Sequence, residues 1–471
     1  MESTAAADPY DVIVIGAGPV GENAADRAGR DGLSVAVVER RLVGGECSYY
    51  ACTPSKALLR PVHARQAASR VEGVSGAHLA PSAVLHRRDT WISHLDDSGQ
   101  VSWLDDAGIG LLRGEARLVG ERVVEVDGRR HEARVAVVVA TGSEPALPDI
   151  PGLRDAKPWT NREATTSSVV PSHLVVLGGG VVACEMATAY AALGSHVTLL
   201  ERGPRLLGRT EDVAAELVAD GLHAAGVDVR LGVEAVRVER PRPGGEVTVQ
   251  CDDGGTVTGD ELLAALGRTP ATDGLGLDSV GAATDERGHL VVDDAMEVTS
   301  VPGRWLYACG DVTGRNLLTH MGKYQARVCG DVIAARAAGR PDDGPGMRAW
   351  ADHLGPPQVV FTDPEVAAVG LTRDAATERG LRVRTLDVDL GSVAGAALHA
   401  DGYAGHARLV VDEDRGVLVG ATFVGQDVQE MAHAATIAVV GEVPLDRLWH
   451  AVPSFPTMSE VWLRLLESAG L

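Results

Sequence analysis

The sequence predicts an α/β chain with two Rossmann-like dinucleotide-binding domains and a C-terminal α+β domain. Residues 11–41 and residues 173–203 repeat one pattern at a fixed offset of 162 positions. Each copy reads as an apolar strand, a glycine turn, an amphipathic helix and a second apolar strand that ends in glutamate. Residues 348–471 mix apolar strands with helical stretches and have no glycine fingerprint. This indicates a domain with a function other than dinucleotide binding.

The first copy has the glycine spacing of a dinucleotide site. Gly16 suits the tight turn, and Gly18 lets the backbone approach a pyrophosphate, which then lies at the N-terminus of the helix. Gly21 leaves room for the helix to pack on the strand. Glu39 ends the second strand and can accept hydrogen bonds from ribose hydroxyls.

The second copy places Gly178, Gly180, Ala183 and Glu201 at the equivalent positions. Two fingerprints in register, each with strand context and a terminal acid, are far more specific than one. Two dinucleotide sites in one chain indicate two nucleotides that exchange electrons. FAD with a nicotinamide nucleotide is the natural pair.

Further strand and turn patterns follow each copy. An apolar strand precedes the glycine turn at Thr141 and Gly142, and another precedes the turn at Gly267. A third strand ends beside Asp311, whose carboxylate can accept from a sugar or ribityl hydroxyl.

Composition excludes several classes of partner. The net charge is −22 and the isoelectric point is near 5.1, which argues against nucleic acid and anionic membranes because both need basic patches. No run of 18 apolar residues is present, so no membrane span is expected. The first nine residues lack a basic segment and a long apolar run, so we expect a short tail, no signal peptide and a cytoplasmic protein.

Two cysteines lie in the segment GGECSYYACTPSK, at Cys47 and Cys52. In a straight helix their Cα atoms would be roughly 8–9 Å apart, whereas a disulfide needs about 4.4–6.8 Å. If the two cysteines bond, this turn is therefore not regular helix. A structural pair and a zinc site are alternatives, but no second Cys/His pair at ligand spacing completes a zinc site, so we expect a redox-active pair and no metal.

Eight motifs, in order and across essentially the whole chain, make it resemble the pyridine nucleotide–disulfide oxidoreductases, a family that includes dihydrolipoyl dehydrogenase, glutathione reductase and mercuric reductase. The motifs are GAGPVG, GGECSYYACTPSK, ATGSEP, GGGVVACE, ALGRTP, YACGDVTG, PPQVVFTDPEVAAVG and PSFPTMSE. The resemblance implies a homodimer of three-domain subunits. Residues 1–150 and 273–345 would bind FAD, residues 151–272 would bind NAD(P)H, and residues 346–471 would form the dimerisation domain.

The resemblance also implies which residues bind each cofactor. FAD would be bound by Gly16, Gly18, Gly21, Glu39, Gly45, Lys56, the backbone at Ala116, Thr141, Gly142 and Asp311. The nicotinamide nucleotide would be bound by Gly178, Gly180, Ala183, Glu185, Glu201 and Gly267. Because Glu201 would repel a 2′-phosphate, we expect a preference for NADH over NADPH. The positive charges of Arg202 and Arg205 could weaken this preference.

Catalytic roles follow from the same resemblance. Cys52 would be the thiol on the flavin side, Cys47 would be the interchange thiol, and Lys56 would pair with Glu185. The chain has Tyr49 and Ala51 where the family usually has Asn and Gly, so the two adjacent tyrosines could narrow the substrate side or simply pack.

The most informative departure lies in the C-terminal motif PSFPTMSE. Disulfide-reducing members carry a histidine before Pro-Thr, supplied by the partner subunit as the acid–base for the interchange thiol. Here that position is Phe455, and Glu460, which would normally support the histidine, should have lost its partner. His450 and His320 are possible replacements. The chain also has no C-terminal cysteine pair, which disfavours mercury as substrate.

The sequence thus predicts an FAD-dependent NAD(P)H oxidoreductase whose acceptor is a small quinone-like electrophile or an unusual disulfide. The first alternative is a dihydrolipoyl dehydrogenase-type disulfide reductase with a relocated base. The second alternative is a non-catalytic flavoprotein that serves as a binding subunit.

Overall fold

The computed structural model describes residues 10–471. The strands are β1 (Tyr10–Ile15), β2 (Val35–Glu39), β3 (Gly110–Arg113), β4 (Ala116–Gly120), β5 (Val123–Val126), β6 (Arg129–Val139), β7 (Ser143–Pro145), β8 (His173–Leu177), β9 (His196–Glu201), β10 (Asp228–Leu231), β11 (Ala235–Glu239), β12 (Val247–Cys251), β13 (Thr256–Gly259), β14 (Glu261–Ala264), β15 (Arg268–Pro270), β16 (Leu306–Ala308), β17 (Pro357–Val360), β18 (Glu365–Gly370), β19 (Val383–Asp389), β20 (His406–Asp412) and β21 (Val417–Gly425).

Helices connect these strands, and short 3₁₀ turns occur between several of them. The α-helices are α1 (Pro19–Gly29), α2 (Gly45–Tyr49), α3 (Cys52–Ser69), α4 (Pro81–Trp91), α5 (Ser98–Asp106), α6 (Asn161–Thr166), α7 (Val181–Ala192), α8 (Asp212–Ala224), α9 (Thr319–Ala337), α10 (Ala351–Leu354), α11 (Arg373–Glu378), α12 (Ala394–His399), α13 (Ala432–Val440), α14 (Leu445–Leu448) and α15 (Val461–Ser468).

The first of two compact units consists of the chain up to Pro54, Asp89–Pro145 and Arg268–Asp352. Its parallel strands follow the order β3-β2-β1-β6-β16, and the first half of β6 also pairs antiparallel with β5. Val12, Ile13 and Val14 of β1 are completely buried, as a parallel strand covered on both faces requires. The carboxyl ends of β1 and β6 meet at the first glycine turn.

The second unit consists of Ser55–Arg88, Ala146–Gly267 and His353–Leu471. It contains the parallel sheet β10-β9-β8-β14, which carries the second copy of the repeat, and the antiparallel sheet β11-β12-β13. Its C-terminal part is the antiparallel sheet β17-β18-β21-β20-β19, with α13 and α15 in the same apolar core. The prediction of an α/β chain with a C-terminal α+β domain is confirmed.

The predicted domain boundaries remain a prediction, because a division into two compact units does not test a division into three domains. The expected N-terminal tail lies outside the described residues. Within residues 10–471, no helix is both long and apolar enough to cross a membrane.

Candidate active site

The first glycine turn is shaped by backbone contacts that exclude side chains. Gly16 has φ +101°, and a Cβ there would lie 2.5 Å from the carbonyl oxygen of Ala140. A Cβ on Gly45 would lie 2.8 Å from the Cα of Gly18, so the loop before α2 meets the start of α1 without side chains between them. This narrow space, lined by backbone at a helix N-terminus, fits the pyrophosphate of FAD.

Glu39 closes this turn at the end of β2. Its carboxylate accepts from the backbone N–H of Ala17 at 3.0 Å and of Arg41 at 2.7 Å. The acid therefore lies against the glycine loop, where it can also accept from a ribose hydroxyl. Gly21 is required for another reason, because a Cβ at that position would collide with the carbonyl oxygen of Gly16.

The second glycine turn repeats this geometry inside the second unit. Gly178 has φ +104°, and a Cβ there would collide with the carbonyl oxygen of Ala265. Gly180 is the N-cap of α7, and Ala183 is completely buried. The Glu201 carboxylate accepts from the N–H of Gly203 at 2.5 Å, so it is fixed beside the turn.

The two arginines after Glu201 have partners of their own. Arg202 lies 3.7 Å from the carboxylate of Glu234. Arg205 donates to the backbone oxygen of Gly208 at 3.2 Å.

Asp311 belongs to a polar cluster in the first unit. Its carboxylate accepts from the Ser143 hydroxyl at 2.6 Å, and Arg268 donates to both the hydroxyl and the carbonyl oxygen of Ser143 at 2.6 Å. Arg268 also lies 3.6 Å from Glu46. The cluster presents a carboxylate and a guanidinium after the carboxyl end of β16, where a ligand of a parallel sheet binds.

The remaining predicted cofactor residues occupy loops and strand ends. Thr141 donates to the carbonyl oxygen of Ala271 at 2.8 Å, and Gly142 follows with φ +74°. Ala116 is the buried first residue of β4. Gly267, with φ +116°, ends the loop after β14 in the second unit.

The helix breaks between the two cysteines, as their spacing predicted for a bonded pair. Cys47 lies in α2, Tyr50 leaves helical geometry with φ −133° and ψ −1°, and Cys52 begins α3. The Thr319 hydroxyl, at the start of α9, lies 3.3 Å from the Sγ atoms of both cysteines and donates to that of Cys47. The two thiols and the hydroxyl therefore form one cluster within the first unit.

The surroundings of Cys47 favour its protonated form. The pKa of Cys47 is raised well above its ordinary value, first by its hydrogen bond with Cys52, then by burial and by the negative charge of Cys52. The Thr319 hydroxyl and the charge of Lys323 act in the opposite direction on this pKa. Cys47 therefore holds its proton in this arrangement, which suits a protonated interchange thiol.

Lys56 forms an ion pair within the second unit. Its Nζ lies 2.9 Å and 2.7 Å from the two carboxylate oxygens of Glu185, whose side chain is 4% exposed. The N–H of Phe361 donates to the same carboxylate at 3.1 Å, and the ammonium lies 4.8 Å from the centroid of the Phe361 ring. The predicted pair is thus formed, with its carboxylate fixed by two donors.

The C-terminal motif has no proton-transferring side chain at its key position. Phe455 is 74% exposed in the single chain. Glu460, which has no histidine to support, pairs instead with Arg464, whose guanidinium lies 2.9 Å from its Oε1, one helical turn away. The Oε2 atom of Glu460 is buried with no hydrogen-bond partner. His450 and His320 are both exposed.

Sequence reasoning missed Thr319, Arg268 and Lys323. Arg268 lies in the motif ALGRTP, which was an available signal, whereas none of the eight motifs contains Thr319 or Lys323. Among residues 10–471, no group of three or more His, Cys, Asp and Glu side chains is placed to hold a metal ion.

Comparison with known proteins identifies the family. The profile of the pyridine nucleotide-disulphide oxidoreductases matches residues 10–337, and that of their dimerisation domain matches residues 356–465. A dihydrolipoyl dehydrogenase of Thermus scotoductus is 36% identical over 98% of this chain and 97% of its own length. A mercuric reductase of Staphylococcus aureus is 29% identical over 96% of this chain and 81% of its own.

The fold agrees with solved structures. The HOCl-induced flavoprotein disulfide reductase RclA of Escherichia coli matches with a TM-score of 0.82 and 26% identity, over 97% of this chain and 99% of that one. A Cu(II) complex of the same protein matches with a TM-score of 0.83 and 25% identity, over 98% of this chain and 99% of that one.

These relatives confirm the expectations of an enzyme, of FAD and of a nicotinamide cofactor. They remove the alternative of a non-catalytic flavoprotein. The matched dimerisation domain supports the expected homodimer. The chain belongs to the pyridine nucleotide-disulphide oxidoreductase family and is a flavoprotein disulfide reductase.

Proposed function

We propose that this enzyme passes electrons from NADH through FAD and the Cys47–Cys52 pair to a small acceptor that is neither lipoamide nor glutathione disulfide. The acceptor is a quinone-like electrophile or an unusual disulfide. One observation carries this proposal: Phe455 occupies the position of the family's acid–base histidine. General acid–base assistance is typically worth about 10²–10⁴ in rate, so ordinary disulfides should be poor substrates.

Bound FAD supplies the two-electron carrier between the nicotinamide and the thiols. The roles of this chain's residues are then binding and proton control. The two glycine turns, with Glu39 and Glu201, would each hold one nucleotide. Thr319 would hold the two sulfurs in fixed positions beside each other, since its hydroxyl contacts both at 3.3 Å.

The preference for NADH rests on Glu201. Its carboxylate is fixed beside the second glycine turn, where it would bind a free 2′-hydroxyl and repel a 2′-phosphate. Arg202 and Arg205 are engaged by Glu234 and by Gly208, which weakens the case that they recruit a phosphate. We place the reaction in the cytoplasm, where a dithiol is kept reduced.

An anaerobic NADH titration followed by an acceptor panel tests the proposal. At two electrons per flavin, a long-wavelength absorbance should appear from the Cys52 thiolate beside the flavin. Cys52→Ser should abolish this absorbance, whereas Cys251→Ser, at a buried cysteine on β12, should retain it. The panel compares quinones, lipoamide, glutathione disulfide and Cu(II), the last because a solved relative is a Cu(II) complex.

Quinones or a non-standard disulfide should exceed lipoamide and glutathione disulfide by about 10² in kcat/KM. Lipoamide turnover comparable with that of the best acceptor would refute the proposal.

The second candidate is a dihydrolipoyl dehydrogenase-type enzyme with a relocated base. The position of His320 favours it, because this residue directly follows Thr319, whose hydroxyl contacts both sulfurs. Under this candidate lipoamide is a good substrate, and either His320→Ala or His450→Ala slows its reduction. Unchanged lipoamide turnover in both variants would dismiss it.

A further inference from the structure

A buried amide on α9 joins two loops of the first unit. Gln325 is completely buried. Its Oε1 accepts from the backbone N–H of Gly310 at 2.8 Å, and its Nε2 donates to the two carboxylate oxygens of Asp352 at 3.1 Å and 3.0 Å. Both ends of the amide are therefore used, and only this orientation gives a donor to the carboxylate and an acceptor to the N–H. None of the eight sequence motifs contains Gln325 or Asp352.

The carboxylate of Asp352 also binds the loop that precedes α9. Its side chain is 2% exposed. The Arg315 guanidinium donates to it at 3.2 Å, and the Asn316 amide donates to it at 3.2 Å. Arg315 is held further by Asp294 and by the carbonyl oxygen of Val292, both at 2.9 Å. Three side chains, the glutamine included, thus donate to one buried carboxylate, which compensates for its loss of water. The whole network belongs to the first unit.

The two loops lead to the predicted FAD site and to the thiols. Gly310, with φ +82°, directly precedes Asp311, the acid predicted to bind FAD. Asn316 lies three positions before Thr319, whose hydroxyl contacts both sulfurs. A Cβ on Gly322 of α9 would lie 3.2 Å from the Cα of Gly310, so the helix and the turn are in direct backbone contact. Because the glutamine shares α9 with Thr319, its bond to Gly310 fixes the hydroxyl relative to Asp311.

We propose that Gln325 and Asp352 are positioning residues that hold the Thr319 hydroxyl against the two sulfurs. They act through the start of α9 and through the turn before Asp311. The proposal rests on the proposed function only in taking the cysteine pair as the reacting group. It holds equally for a quinone, for lipoamide and for another disulfide as acceptor.

The dependence on Thr319 separates positioning from stability. A buried hydrogen-bond network also stabilises the fold, so a loss of stability alone would not identify its role. If the network acts through the hydroxyl, its effect on the thiol disappears once the hydroxyl is removed. If the network only stabilises the unit, the effects of the two substitutions are independent and add.

The measurement is the alkylation of Cys47 by iodoacetamide as a function of pH. It uses the reduced, full-length holoenzyme and needs no acceptor. Mass spectrometry locates the label and distinguishes Cys47 from Cys52. The remaining cysteines are buried, which limits their labelling: Cys184, Cys251, Cys309 and Cys329.

Asp352→Asn replaces one acceptor oxygen by a donor that faces other donors, so the loop before α9 loses its anchor. The Thr319 hydroxyl lowers the pKa of Cys47, and its displacement removes this effect. We therefore expect alkylation at pH 7 to slow about threefold to tenfold. Gln325→Met keeps the length of the side chain but loses both hydrogen bonds, and it should act in the same direction. In Thr319→Val/Asp352→Asn, the second substitution should cause no further slowing.

Two further comparisons serve as rescue and control. Gln325→Glu places a second carboxylate against Asp352 and should slow alkylation, whereas Gln325→Glu/Asp352→Asn again pairs a donor with an acceptor and should recover part of the rate. Arg336→Met, eleven positions further along α9, loses hydrogen bonds to Glu297 at 2.8 Å and to Asp342 at 2.6 Å. This control should lower the urea midpoint without changing the alkylation profile.

An unchanged alkylation profile in Asp352→Asn and Gln325→Met overturns the proposal. It is also overturned if Asp352→Asn slows alkylation as much in the Thr319→Val background as in the wild type. If Asp352→Asn does not fold, the same comparison with Gln325→Met decides. If the profiles change as expected but lipoamide proves to be the best acceptor, the positioning role stands and the proposed function fails.

Discussion

Removing the Thr319 hydroxyl should make Cys47 a weaker nucleophile. Thr319→Val keeps a branched side chain of similar shape but loses the hydroxyl that lies 3.3 Å from both sulfurs. A hydrogen bond to a charged group contributes about 1.5–3 kcal/mol, and one pKa unit corresponds to about 1.4 kcal/mol. Because one hydroxyl proton serves two sulfurs, we take the lower end, which raises the pKa of the Cys47 thiol by about one unit.

The assay is the rate of alkylation of Cys47 in the reduced enzyme as a function of pH. Below the thiol pKa, a rise of one unit lowers the thiolate fraction and hence the rate about tenfold. Thr319→Ser restores the hydroxyl and should restore most of the rate. An unchanged profile in Thr319→Val, or the same loss in Thr319→Ser, would refute the reasoning.

Three further predictions follow from the ion pair, the ribose acid and the C-terminal motif. Lys56→Met should lower the free energy of unfolding, measured in urea titrations, by about 1–3 kcal/mol because it leaves the buried carboxylate of Glu185 without its cation. The double variant Lys56→Met/Glu185→Gln should recover part of this loss. Glu201→Ala should reduce the ratio of kcat/KM for NADH to that for NADPH, and a ratio that stays constant or rises would contradict the role of this acid. Phe455→His should increase lipoamide reduction about 10²-fold, with a new pH dependence near 6.5, whereas Phe455→Leu should not.

The repeat allowed the first and second nucleotide folds to be predicted closely. The predicted copies over residues 11–41 and 173–203 correspond to β1-α1-β2 and β8-α7-β9. Glycine spacing and strand hydrophobicity are local properties, so they can be read from a sequence. The break between α2 and α3 was also predictable, because the geometry of a disulfide excludes regular helix between the two cysteines.

Residues that contact the thiols from distant parts of the chain were not predictable. Thr319 is 267 positions from Cys52, and nothing in the spacing indicates that the start of α9 lies against the cysteine pair. The pairing of Glu460 with Arg464 was missed for a different reason. Both residues are close in sequence, but the expectation considered only the absent histidine and not the i,i+4 neighbour.

The sequence by itself determined the two nucleotide-binding units, the cysteine pair and the absence of a histidine at Phe455, because each is a matter of residue identity and local spacing. Only the tertiary structure decided which groups lie against Cys47, where the Thr319 hydroxyl donates to its sulfur. Whether Glu22 is an ordinary surface acid or a group with a pKa near 7 depends on the burial of its carboxyl group, which only the fold determines. Burial and charge at a site are sums over neighbours from the whole chain, and the fold alone fixes those neighbours.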